Sequence, residues 1–319
     1  MKTIVFFVFL LANAAYYSCD VCGCFMGIIP YETYHQISFL HRYRVFNGYR
    51  EYGRRPQFFP NGAYKVMHGN HGSTDTTDVL HSSNDFESFK VFELRARIFF
   101  LKRFELNGIL PFSHIKSKTD TVFTEHFGLS DPSLFGLYHI FRPRPEKKIH
   151  FRWTAGAGIK FPSGNYYAKD AYGRRYPLLL QPGTGSLDIF FLQTILAEYK
   201  NAGVQIISNY KINGKNYYHE KIANSITLHH GVFYKFRIKN LQLISSLSGY
   251  YEFTKGLYIQ SSHVDGTKMN EWMLGPGMDL FYKRLGLHLL FQKTLYQDLE
   301  KGKIQSVGRW MIGISYSFI

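Results

Sequence analysis

From Arg309 onward the chain changes character at every step. Trp310, Ile312, Ile314, Tyr316 and Phe318 fall on one side of an extended strand, with Met311, Gly313, Ser315 and Ser317 on the other. Successive side chains of a strand point to opposite faces, so this segment has one apolar, aromatic face and one small, mostly polar face. The period recurs upstream. Phe92, Leu94, Ala96, Ile98 and Phe100 alternate with Glu93, Arg95, Arg97 and Phe99, and Phe151, Trp153, Ala155, Ala157, Ile159 and Phe161 with Arg152, Thr154, Gly156, Gly158 and Lys160.

A soluble sheet also alternates, so the spacing of the strands has to decide. Strands are predicted at 35–46, 87–101, 103–113, 130–141, 149–161, 186–199, 202–212, 222–236, 240–252, 270–282, 285–294 and 306–318. Tight turns at Leu101-Lys102-Arg103, Lys200-Asn201, Lys239-Asn240 and Lys283-Arg284, and a Pro-rich one from Arg142, alternate with the longer segments 47–86, 114–129, 162–185, 213–221, 253–269 and 295–305. Short turns at one rim and long loops at the other describe an all-β, antiparallel, up-and-down transmembrane β-barrel of about 12 strands, with both termini periplasmic. Composition agrees: aromatic residues make up 18% of the chain and charged residues only 19%. The net charge of +15 is spread without a run of five like charges, which argues against a nucleic-acid partner.

Residues 1–15 read as a secretory signal peptide: Lys2, the apolar run Ile4 to Leu11, then Ala12-Asn13-Ala14 as the cleavage motif. The apolar run is too short to span a bilayer as a helix. Residues 16–34 are then a periplasmic segment and 35–319 the barrel, placed in the cell outer membrane. Expected partners are outer-membrane lipid, the barrel-assembly machinery and a periplasmic metal-binding protein.

The stretch Phe161-Pro162-Ser163-Gly164-Asn165-Tyr166-Tyr167, with Leu180-Gln181-Pro182-Gly183-Thr184-Gly185-Ser186-Leu187-Asp188, resembles the bacterial outer-membrane transporter-like family labelled MetA-pathway of phenol degradation. The opening Cys19-Asp20-Val21-Cys22-Gly23-Cys24, followed by Gly27-Ile28-Ile29-Pro30, resembles a Bacteroidota-type branch of such barrels. The resemblance implies an outer-membrane barrel with a transport role; the residues themselves specify no aromatic substrate. By local chemistry, Gln181, Pro182, Gly183 and Gly185 form a sharp re-entry from loop to strand, either a structural turn or a loop gripping a ligand.

All three cysteines, Cys19, Cys22 and Cys24, lie within six residues. Their spacing lets the sulfurs converge on a soft ion, Cu(I) or Zn(II), with Met26, His35 or His41 as a fourth ligand. A disulfide with one spare thiol, or acylation of Cys19, are the other readings. Other histidines carry less. His68 and His71 sit in a polar loop, His229 and His230 should face opposite sides of a strand, and His263, Asp265, Ser261 and Ser262 share a loop without a catalytic pattern. No catalytic residue is assigned, and the chain is not expected to be an enzyme.

Inside the predicted barrel, Arg42, Arg44, Arg95, Arg97, Arg152 and Lys160 outnumber the acids Glu93, Glu105, Asp188 and Asp279. An open lumen of this kind would prefer anions, whereas ion pairing would fill it as a plug. The expected function is a channel or transporter component for small solutes, metal-linked through the CxxCxC segment. The alternatives are a structural barrel anchoring a periplasmic metal-handling partner, or an outer-membrane hydrolase.

Overall fold

The computed structural model describes residues 34–47, 57–58, 86–101, 103–119, 122–143, 148–170, 172–264, 267–298 and 306–318. Residues 1–15, Cys19, Cys22, Cys24, Met26, His68, His71 and Asp265 lie outside them. The elements in chain order are β1 (His35–Asn47), β2 (Gln57–Phe58), β3 (Phe86–Phe100), β4 (Phe104–Thr119), β5 (Val122–Leu129), β6 (Ser133–Phe141), β7 (Ile149–Lys160), a 3-10 turn (Leu178–Leu180), β8 (Asp188–Tyr199) and β9 (Ala202–Ile212). They continue as β10 (Glu220–Ile222), β11 (Ser225–Ile238), β12 (Leu241–Thr254), β13 (Leu257–Ile259), β14 (Ser262–His263), β15 (Met269–Tyr282), β16 (Leu285–Asp298) and β17 (Ser306–Phe318). No described helix is long and apolar enough to cross a membrane.

Each long strand pairs antiparallel with the next, and β1 pairs with β17 from His35↔Phe318 to Phe46↔Ser306, closing the sheet. Counting β5 and β6 as one interrupted strand, the wall has the 12 strands expected from the spacing. Closure leaves no sheet edge, the condition for carrying a backbone through lipid. At the rim where β1 begins and β17 ends, two-residue turns join β8 to β9, β11 to β12 and β15 to β16. Lys200, Lys239 and Lys283 sit there at φ of 55°, 52° and 52°, the left-handed conformation that lets a short loop follow the twist of its strands.

The alternation holds around the wall. Leu94, Ile98, Phe151, Ile159, Ile312, Ile314 and Tyr316 are exposed on the outside, while Glu93, Arg95, Arg97, Met311, Ser315 and Ser317 are buried within. A belt of bare aliphatic and aromatic side chains is a surface for acyl chains, since water would penalise it at roughly 25 cal/mol per Å².

One segment differs from expectation. Residues 114–129, read as a loop, form a hairpin in which β4 runs on to Thr119 and pairs with β5 from Phe112↔Leu129 to Thr119↔Val122. The run Lys116-Ser117-Lys118-Thr119 is polar enough to look like a loop, yet Ile115 and Ser117 remain buried on the inward face. Ser130, Asp131 and Pro132 interrupt the strand, with Ser130 N donating to Pro111 O at 2.9 Å. The loop 253–269 likewise contains β13 and β14, which with β10 form a separate three-stranded sheet on the loop-bearing rim.

Candidate functional site: the barrel interior

Strand parity carries the polar residues inward, and register decides which of them meet. Arg44 on β1 lies directly opposite Arg309 on β17, and Glu252 on β12 directly opposite Glu271 on β15. Like charges side by side on one wall repel. The relief comes from across the lumen: Arg44 Nη1 donates to Glu252 Oε2 at 2.8 Å and Arg44 Nη2 pairs with Glu271. Glu271 also accepts from Thr294 Oγ1 at 2.6 Å. Arg309 donates through Nε to Gln292 at 2.8 Å and lies 3.4 Å over the Tyr250 ring, while Gln292 Nε2 donates to Ser248 O at 2.9 Å. These side chains tie β1 and β17 to β12 and β15 and close the bore toward the loop-bearing rim.

Two further clusters line the same interior. Glu93 is held between Arg42 Nε at 2.8 Å and Arg95 Nε at 2.7 Å, so one carboxylate answers two guanidinium groups. Lys160 reaches Asp131 at 2.7 Å and Asp188 at 2.8 Å, and Lys211 lies 3.5 Å from Asp188. Asp131 also accepts from Gly164 N at 3.0 Å and from Thr184 N at 2.7 Å, pinning loop 161–187 to the mouth.

The turn residues fall within this pinned loop. Gln181 accepts from Ala168 N at 3.0 Å and donates to Tyr176 O at 2.9 Å, making it the loop's internal brace. Pro182, Gly183 and Thr184 are buried beside it. Gly183 packs on the Gly164 backbone, and Gly185 takes φ 66° where a Cβ would run into the Tyr166 ring. All of these contacts are internal to the protein.

Arg42, Arg44, Arg95, Arg97 and Lys160 are buried and Arg152 is half-buried on the inward face. The expected surplus of base does not hold there. Lys211, Lys235 and Arg309 join these six among the described residues, and nine buried or half-buried acids answer them: Glu87, Glu93, Glu105, Asp131, Asp188, Glu198, Glu252, Glu271 and Asp279. Beyond Glu93, Glu105, Asp188 and Asp279 these are Glu87 on β3, Asp131 at the break before β6, Glu198 on β8, Glu252 on β12 and Glu271 on β15. The excess positive charge of the chain therefore lies off this inward set.

Below the Arg44 bridge is a narrow cavity of about 40 Å³. Leu40, Leu290 and Met311 form one side of it, and Gly231, Ser246, Ser248 and Gly277 leave room on the other. His229 lines the chamber at 7% exposure with neither ring nitrogen hydrogen-bonded. His288 donates or accepts at Asp279 at 2.7 Å through Nδ1 and at Ser315 at 2.9 Å through Nε2. The expected division of the histidine pair is seen: His230 lies on the outer side, stacked on Trp272. Near the terminal rim His35 Nδ1 accepts from Phe99 N at 3.2 Å, and His41 stacks on Phe92. His263 Nε2 bonds Lys255 O, and Ser261 Oγ accepts from Lys215, so no nucleophile and base meet in that loop among the described residues. No described group of three or more His, Cys, Asp or Glu is placed to hold a metal ion.

Sequence reasoning missed Glu252, Glu271, Arg309, Asp131 and Lys211. All five hold inward parity on strands predicted from the sequence, Asp131 within 130–141, so extending the alternation along each of those strands finds them.

No family model and no curated protein matches the chain. Among solved structures, it is similar to the COG4313 outer-membrane channel from Pseudomonas putida F1, with TM-score 0.67 and 13% identity over 93% of this chain and 98% of that one. A Pseudomonas aeruginosa FadL homologue aligns at TM-score 0.40 and 10% identity over 90% of this chain and 91% of that one. At such identity the shared property is the fold. The chain is thus an outer-membrane-type β-barrel, and within that class it shares the fold of the Pseudomonas putida channel.

Proposed function

We propose that this protein is an outer-membrane channel for small, uncharged solutes, exported by residues 1–15 and inserted with both termini in the periplasm and the long loops outside. The observation that carries this reading is the chamber of Leu40, Leu290, Met311 and His229, enclosed by a barrel with an apolar belt and matched internal charge. Matched charges leave little net field to select ions, whereas a wall that sets Leu40, Leu290 and Met311 beside Gln205, Ser248, His229 and the paired Asp279 and His288 suits a small neutral polar solute. The Arg44 bridge is the constriction. Residues 16–34, through Cys19, Cys22 and Cys24, are the proposed capture point for Cu(I) or Zn(II) at the periplasmic mouth.

Liposome swelling with glycerol, erythritol and arabinose tests the channel. Proteoliposomes should swell faster than empty vesicles. The variant Arg44→Ser/Glu252→Gln/Glu271→Gln, which removes the bridge without stranding a buried charge, should swell several-fold faster still. The density of the interior network favours a second reading, a non-transporting anchor. Folded wild type and variant that both swell no faster than empty vesicles would establish that reading instead.

A further inference from the structure

The rim opposite the termini carries a second hollow that the solute path does not use. Register in the small sheet places Lys221, Tyr258 and His263 side by side across β10, β13 and β14. Their neighbours along β10 turn the other way: Ile222 packs with Leu178 and Leu257, and Glu220 pairs with Arg175 at 2.8 Å and Asn216 at 2.8 Å. The sheet thus keeps its acid on one face and its lysine on the other. Lys221 and Tyr258, with Lys215, His219, Asn224 and Ser261, line an open hollow of about 290 Å³, and none of its described lining residues bears a carboxylate.

Two tight turns frame it. His219, Gln260 and Ser261 hold φ of 58°, 50° and 74°, and Gln260 N donates to His219 O at 3.1 Å, joining the two turns. Gln260 and Ser261 are the two-residue turn between β13 and β14, which takes the left-handed conformation as the tight turns of the other rim do.

Two ammonium groups and an imidazole attract a phosphate, and the tyrosine ring offers an apolar face to a sugar. We propose that this hollow binds a phosphorylated sugar, presented by a lipopolysaccharide headgroup or as a free solute. Its place outside the cell rests on the channel reading; the binding does not.

The test uses the full chain in detergent micelles, with saturation-transfer NMR on glucose 1-phosphate and on glucose. Glucose 1-phosphate should bind in the millimolar range or tighter and glucose should give no signal. Lys215→Gln/Lys221→Gln, shown to be folded by its heat-modifiable migration, should bind about fivefold more weakly or less, as loss of charge-assisted contacts requires. Equal response to both sugars, undiminished binding by the folded variant, or no response to glucose 1-phosphate and to phosphorylated core oligosaccharide would overturn the proposal. Binding of that oligosaccharide about tenfold tighter than the free sugar phosphate assigns the headgroup, and equal binding assigns the solute. Binding by a barrel that fails the swelling test would leave this site standing and remove the channel.

Discussion

Arg44 is 1% exposed, with two carboxylates against its guanidinium and a second base, Arg309, as its register partner. Taking three charges out of water is recovered only while each keeps its partners. Arg44→Ala alone should therefore destabilise the barrel by about 3–5 kcal/mol, because Glu252 and Glu271 stay buried side by side. The triple variant Arg44→Ser/Glu252→Gln/Glu271→Gln should recover most of that loss. Urea midpoints of the folded, heat-modifiable form measure both, and a triple variant no more stable than the single one would show that the bridge itself, not the stranded carboxylates, supplies the stability. His229 poses the opposite case at this scale, since its nitrogens have no protein partner to lose.

At the scale of elements, the interruption between β5 and β6 links wall to loop. One carboxylate, Asp131, binds Lys160, Thr184 and the Gly164 amide, so a strand break organises the 161–187 segment. Asp131→Asn keeps the shape but removes the charge. Limited proteolysis should then cut within 161–187 at least several-fold faster, since opening that loop no longer breaks charge-assisted hydrogen bonds. Unchanged cleavage would mean that the Gln181 brace and the packing of Gly183 on Gly164 hold the loop without Asp131.

For the whole molecule, what matters is where the charge of +15 resides. Matching of acids and bases on the inward set predicts weak ion selectivity, read as a small reversal potential across a KCl gradient in planar bilayers. Glu93→Gln/Glu105→Gln should shift that potential toward anion preference by releasing Arg42 and Arg95 from Glu93 and His139 from Glu105. A wild-type channel already strongly anion-selective would mean that the turns and loops, and not the bore, set the field.

The period of two was legible from residues alone because lipid outside and a polar interior impose opposite demands on alternate side chains. That pattern determined the barrel, its 12 strands, the rim holding the termini and the inward place of Arg42, Arg44, Arg95, Arg97 and Lys160. Parity says that a side chain points inward; it does not say what stands across the bore. Arg44 and Glu252 are 208 residues apart, and their meeting depends on closure and register acting together. The contacts of Asp131 with Thr184 and Gly164, the balance of inward charge and the hollow on the small sheet share that origin. Each arises from distant segments brought face to face, so only the tertiary structure decided them.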